Sequence, residues 1–232
     1  MATLNDTALT VANQLGRTNA EGSAFIDLET QIKKEIRNTI RFYNRKPMHL
    51  TEFRGGEIIT VIGQTFYNTA DITMGAGDQP LSGRTTIDVE DIIAIHYMRE
   101  NPGQTGLNEP LSEVPYAHFE RLFEGAVPTG QPEFFTRYAG QIGIWPTPSG
   151  INNIYWSGII RPTVPQADQD ISVWFDQANE LIEAGAARRV CSKYLRDEER
   201  ANYFGQIEAL QLQNLQEEHV QKSSSRRFRK HD

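Results

Sequence analysis

In the stretch SAFIDLETQIKKEIRNTIRFYNRK, residues 23–46, the apolar side chains Phe25, Leu28, Ile32, Ile36, Ile40 and Tyr43 fall three or four positions apart, with Lys, Arg and Glu between them. That spacing puts them on one stripe of an α-helix, which Ser23 can cap and Pro47 can stop. A helix with one greasy stripe must cover it with another element. The same period recurs towards the two ends of the chain. Leu4, Ala8, Val11, Ala12 and Leu15 precede Gly16, and Leu181, Ile182, Ala186, Val190, Cys191, Tyr194 and Leu195 share one broad face. RDEER then interrupts the pattern, and Asp197 can cap a further helix carrying Ala201, Phe204, Ile207, Leu210 and Leu215. These last two helices should form a hairpin.

The middle of the chain has a different period. MHLTEFRGGEIITVIGQTFYN is rich in β-branched and aromatic residues around Gly55-Gly56, and reads as a hairpin with its turn at that pair. TTIDVEDIIAIHYMRE resumes strand composition, Tyr116 to Phe123 suits a short helix, and FFTRYAGQIGIWP and NNIYWSGIIRP look like closing strands of a small sheet. The expected fold is therefore α+β. Residues 1–46 and 166–221 supply a helical bundle, residues 47–165 an inserted small antiparallel β domain, and residues 222–232 a flexible basic tail.

Chemistry is scarce. The lone Cys191 excludes a disulfide framework within one chain and reads as a buried small side chain. His49, His96, His118, His219 and His231 share no metal-ligand spacing. GAGDQP at Gly75 lacks the rest of a nucleotide loop, QADQD with Asp168 and Asp170 lacks the pattern of a calcium loop, and the carboxylates Asp88, Glu90 and Asp91 read as a solvated turn or strand start. Trp145 and Trp156 suit core packing better than a carbohydrate platform. No catalytic, cofactor or metal residue is expected, and no apolar run is long enough to span a membrane. The N-terminus has no secretory pattern, so synthesis and assembly are expected in the cytoplasm.

Charge is unevenly placed. The chain holds 23 Lys and Arg against 30 Asp and Glu, for a net charge of −7. The tail KSSSRRFRKHD is itself basic, so a body of about −11 precedes an end of about +4. Such an arm fits docking onto an acidic face of a neighbouring protein, through Lys222, Arg226, Arg227, Arg229 and Lys230 with Phe228 as an apolar anchor. A salt-sensitive grip on DNA, with Tyr155 and Trp156 stacking on bases, and plain solvation are the other readings.

Several segments in order resemble a known family: NDTALTVANQLGRT and IDLETQIKKEIRNTIRFYN, then EPLSEVPYAHFERLF, GQIGIWPTPSG and IYWSGIIRP, then ELIEAGAARRVCSKYLRDEERANYFGQIEALQLQ. Together they resemble the head-to-tail adaptor, or connector, proteins of tailed bacteriophages. The resemblance implies a non-enzymatic virion protein that forms a homo-oligomeric ring under the portal, with about twelve copies as is usual in that family. It further implies contact with the portal and with nozzle or tail-tube proteins, and a channel through which DNA passes without sequence-specific binding. A negatively charged wall suits such a conduit, because it repels phosphates. A nucleic-acid-binding virion protein and a carbohydrate-binding β module are the alternatives.

Overall fold

The computed structural model describes residues 2–16, 23–46, 48–74, 88–100, 110–122 and 128–227. Among them are six α-helices: α1 (Leu4–Gln14), α2 (Ser23–Tyr43), α3 (Tyr116–Arg121), α4 (Val173–Gln177), α5 (Asn179–Val190) and α6 (Glu198–Arg227). The fold is α+β and divides into two compact units, one of Met1–Thr51 with Pro162–Asp232 and one of Glu52–Arg161.

The first unit is helical, and its local chemistry is legible at each end. Thr3 and Asp6 form a capping box: the Thr3 hydroxyl accepts from the Asp6 N–H at 3.2 Å, and Asp6 Oδ2 accepts from the Thr3 N–H at 3.0 Å. Gly16 closes α1 in the left-handed region at φ 67°. The side chains of Ser23 and Phe25 lie outside the described residues, but Ile32, Ile36 and Ile40 of the predicted stripe are fully buried. Each contributes about 1.5–3 kcal/mol relative to exposure. Leu4 and Val11 of α1, Leu15 just after it, Trp174 of α4, and Phe204 and Leu215 of α6 complete the same core.

Helix α5 lies at the centre, with every residue from Leu181 to Ala187 buried. Its run of small residues lets α2 and α6 approach closely. A Cβ on Gly185 would lie 2.7 Å from Thr39 Cγ2 and 2.9 Å from Glu208 Oε1. Where three backbones come this near, the buried Glu208 carboxylate is paired on both oxygens. The Tyr43 hydroxyl donates to Glu208 Oε1 at 2.6 Å, and Arg188 Nε lies 2.6 Å from Glu208 Oε2. Burial first, then the bond to Glu208 and its charge, push the Tyr43 phenol well above its ordinary range. Trp174 Nε1 donates to Asn44 Oδ1 at 2.6 Å, while Asn44 Nδ2 donates to the Pro162 carbonyl at 2.8 Å.

Between α5 and α6 the chain makes a single π-turn, Cys191–Leu195, and Arg196 adopts the left-handed region at φ 53°. Asp197 then caps α6, accepting from the Arg200 N–H at 3.0 Å, as the sequence predicts. The turn also carries Lys193, which donates to the buried Glu35 of α2 at 2.8 Å, and Tyr194, whose hydroxyl donates to the same carboxylate at 3.2 Å. Burial alone would raise the Glu35 carboxyl. The Lys193 and Asn38 donors, the lysine charge and Tyr194 outweigh it and hold the group below its usual value.

The second unit is built of strands β1 (Glu52–Ile59), β2 (Phe66–Tyr67), β3 (Ile72–Met74), β4 (Ile92–Glu100), β5 (Ser112–Glu113), β6 (Thr129–Gly130), β7 (Phe134–Tyr138), β8 (Gln141–Trp145), β9 (Thr147–Pro148) and β10 (Asn153–Ile160). One four-stranded sheet has the order β3-β1-β10-β4, another β2-β8-β7-β5, and β6 pairs with β9. The expected hairpin at Gly55-Gly56 is not a hairpin. β1 runs through the glycine pair with a bulge between Arg54 and Gly56, and pairs antiparallel with β10, Glu52 opposite Ile159 and Ile58 opposite Ile154. Gly55 adopts φ 104° in the bulge, and a Cβ on Gly56 would fall 2.1 Å from the Trp156 ring. The pair thus bends a strand and admits an indole, which a turn reading overlooks. The expected single sheet is likewise divided, because β7 and β8 pair with each other while β10 pairs with β1 and β4.

Two outcomes are expected. Gly185→Ala should lower stability by about 1–2 kcal/mol in urea unfolding, although alanine is the better helix former, because overpacking outweighs propensity. Lys193→Met should cost about 1–2 kcal/mol at neutral pH, below the roughly 3–5 of a fully buried pair because the lysine is half exposed. The Glu35 carboxyl is depressed by folding, so its contribution is complete above its unfolded pKa and lost as pH falls through the lower folded value. The deficit of the Lys193→Met chain should therefore shrink when unfolding is repeated at about pH 3.

Candidate functional site

The acidic residues singled out from the sequence hold turns. Asp88 accepts from the Glu90 N–H at 3.3 Å and from the Thr69 hydroxyl at 3.1 Å at the start of a 3-10 turn, Val89–Asp91. Asp170 Oδ2 accepts from the Gln166 and Ala167 N–H groups at 2.7 and 2.8 Å, and these bonds hold its carboxyl below the ordinary value. Asp168 pairs with Lys33 at 2.9 Å. Cys191 is buried, which pushes its thiol up, as does the charge of Asp197. The GAGDQP segment lies outside the described residues. Among the described residues no group of three or more His, Cys, Asp or Glu side chains could hold a metal ion, and no helix is long and apolar enough to cross a membrane.

The aromatic candidates are core. Trp156 is 1% exposed and packs 5.4 Å from the Phe53 ring, and Trp145 is 6% exposed. Neither face is open, so they cannot form a carbohydrate platform, and Trp156 cannot stack on a base.

The basic candidates continue α6, which runs 30 residues, about 45 Å. Lys222 pairs with Glu218 one turn earlier at 2.5 Å, and Arg226 and Arg227 are the last residues of the helix. Basic residues in a last turn favour helix, because they face the negative end of its dipole. Phe228, Arg229 and Lys230 lie outside the described residues.

Two surfaces of the helical unit went unread in the sequence. Along α2 and the turn after it, the exposed Lys34, Arg41 and Arg45 and the half-buried Asn38 follow the helical period, with Phe42 beside them 43% exposed. Lys46 Nζ lies 5.0 Å from the centre of the Phe42 ring, and the Arg189 guanidinium of α5 lies 5.5 Å from it. The signal for this face was in IRFYNRK, where an aromatic falls off the apolar stripe between arginines. The second surface is an open cleft of about 430 Å³ between the start of α5 and the middle of α6. Leu181 and Leu215 line it together with Asp176, Glu180, Gln211 and Glu218, and no Lys or Arg is among its lining residues. A neighbouring cleft of about 410 Å³ shares Glu180 and includes Glu183, Gln14 and the exposed Tyr203. Glu183 is buried and accepts from Asn179 and Gln14, yet burial and the nearby Glu180 charge raise its carboxyl.

What the arrangement offers is recognition surface, with charge segregated onto separate faces of one helical unit. Comparison with curated proteins gives no match. The family model described as SU10 adaptor protein matches residues 7–229, spanning both helical ends and the β unit. The chain therefore belongs to the SU10 adaptor protein family, a family of phage head–tail adaptors, and is a structural protein of head–tail joining.

Proposed function

We propose that copies of this chain close into a ring of about twelve beneath the portal, extending the DNA channel and presenting their far side to the tail. The observation that carries this reading is the family match over residues 7–229. The charge distribution supports it: a body of net negative charge lets DNA slide through a central opening, since fixed carboxylates repel phosphates. Assembly takes place in the host cytoplasm, and the ring remains in the virion at the head–tail interface.

Portal attachment falls to the basic end. Lys222, Arg226, Arg227, Arg229 and Lys230 suit carboxylates on a partner, the arginines by bidentate bonds, and Phe228 adds an apolar anchor. A long helix leading to these residues supports the reading, since a helical backbone through Arg226 and Arg227 lowers the entropy lost on docking. Ring symmetry multiplies the effect, because each docked copy raises the effective concentration of the next contact.

Two measurements test this. A chain truncated after Gln221 should unfold within about 0.5 kcal/mol of the full chain but bind purified portal at least about tenfold more weakly, and equal capture of both would count against the assignment. Sedimentation of the isolated protein should show a monomer, with rings forming only on the portal, because −7 on every copy opposes free association. A stable ring of isolated protein would overturn that second half.

A further inference from the structure

Phe42 is an apolar side chain left 43% exposed at the centre of a basic patch, with Arg41, Arg45, Lys46 and Arg189 around it. No ion pair to an acidic side chain forms at any of these four cations among the described residues. On the same compact unit, the cleft between α5 and α6 has the inverse pattern: an apolar floor at Leu181 and Leu215, and carboxylates of Asp176, Glu180 and Glu218 at its sides, Glu218 being paired with Lys222. The patch cannot fill the cleft of its own copy. Arg189 and Glu180 stand at opposite ends of α5, nine residues or about 13 Å apart along the axis.

We propose that the Phe42 face of one copy docks into the α5–α6 cleft of a second copy, Phe42 over the apolar floor and Arg41, Arg45 and Arg189 against the carboxylates. The contact is head-to-tail, each copy meeting one neighbour with its Phe42 face and the other with its cleft, and repeated it generates a ring or a filament. It rests on the ring reading above and names the seam. An arginine-ringed aromatic entering a pocket has the make-up of a binding hot spot. DNA fits the patch less well, because an exposed phenylalanine gains nothing from phosphates, whereas a cleft with a leucine floor removes it from water. The seam also reconciles net repulsion with assembly: copies that repel at long range attract where these two faces meet, and the portal brings them within reach.

The test is charge reversal and its rescue, read as copies of adaptor per portal by native mass spectrometry. Arg45→Glu or Glu180→Arg alone should reduce the copies bound per portal at least threefold, with unchanged helical circular dichroism, and Arg45→Glu with Glu180→Arg in one chain should restore them. Phe42→Ser should reduce loading without any rescue by Glu180→Arg. Full loading by both single reversals, or failure of the double variant to recover, would overturn the seam while wild-type rings on the portal leave the ring reading standing. If the wild type itself loads as isolated monomers, the ring reading fails instead. Loss of binding to duplex DNA in Arg45→Glu, with Glu180→Arg loading normally, would reassign the patch to nucleic acid and overturn the proposal.

Discussion

Close approach at Gly185 is the constraint on which the helical unit depends. A helix can be buried on all sides only if its neighbours come near enough to exclude water, and in the stretch Leu181 to Ala187 the small residues Ala184 to Ala187 permit this beside Thr39 and Glu208. Near approach makes an unpaired buried carboxylate or amide costly. That is why the carboxylate of Glu208 meets both the Tyr43 hydroxyl and Arg188, and why Asn44 is satisfied by Trp174 and the Pro162 carbonyl. The two segments that build this core are separated in sequence by the whole β unit. The chain must therefore bring its beginning and end together before either is stable, with loop closure over that span as the entropic cost.

The helical ends were legible because their signals are local. Gly16 and Asp197 announce helix boundaries through backbone freedom or their own side chains, and the stripe from Ile32 to Tyr43 follows from geometry alone. The β unit was legible in composition but not in pairing. Gly55-Gly56 carries the same letters whether it turns a hairpin or bends a strand, and what decides is the Trp156 ring lying across Gly56, about a hundred residues further along the chain. Long-range contacts of this kind leave no mark on the local period.

The candidate site was legible to a lesser degree, and for a related reason. The basic end stands out because it contradicts the charge of the rest of the chain. The Phe42 patch and the acidic cleft do not, since each is assembled from two helices and only the packing of α2, α5 and α6 brings its members together. Lys and Arg between apolar positions look like an ordinary solvated face until Arg189 arrives from α5 above the Phe42 ring. Glu180 likewise reads as a surface residue until Gln211 and Glu218 from α6 enclose it.

Segregated charge also restricts the symmetry open to such a unit. A two-fold dimer with either patch on its axis would oppose the arginines around Phe42 with their own copies, or one set of cleft carboxylates with another. Either arrangement places like charges at close range in a partly desolvated contact, where repulsion is stronger than in water. A head-to-tail contact sets opposite charges together at every junction and leaves one unused face of each kind at the ends of any open chain. Those two unsatisfied faces attract each other, so closure is favoured over a growing filament wherever the rotation per copy allows the ends to meet. Net charge does not select between these symmetries, because it is the same for all of them; the placement of Arg45 and Glu180 on different faces disfavours those that put either patch on a two-fold axis.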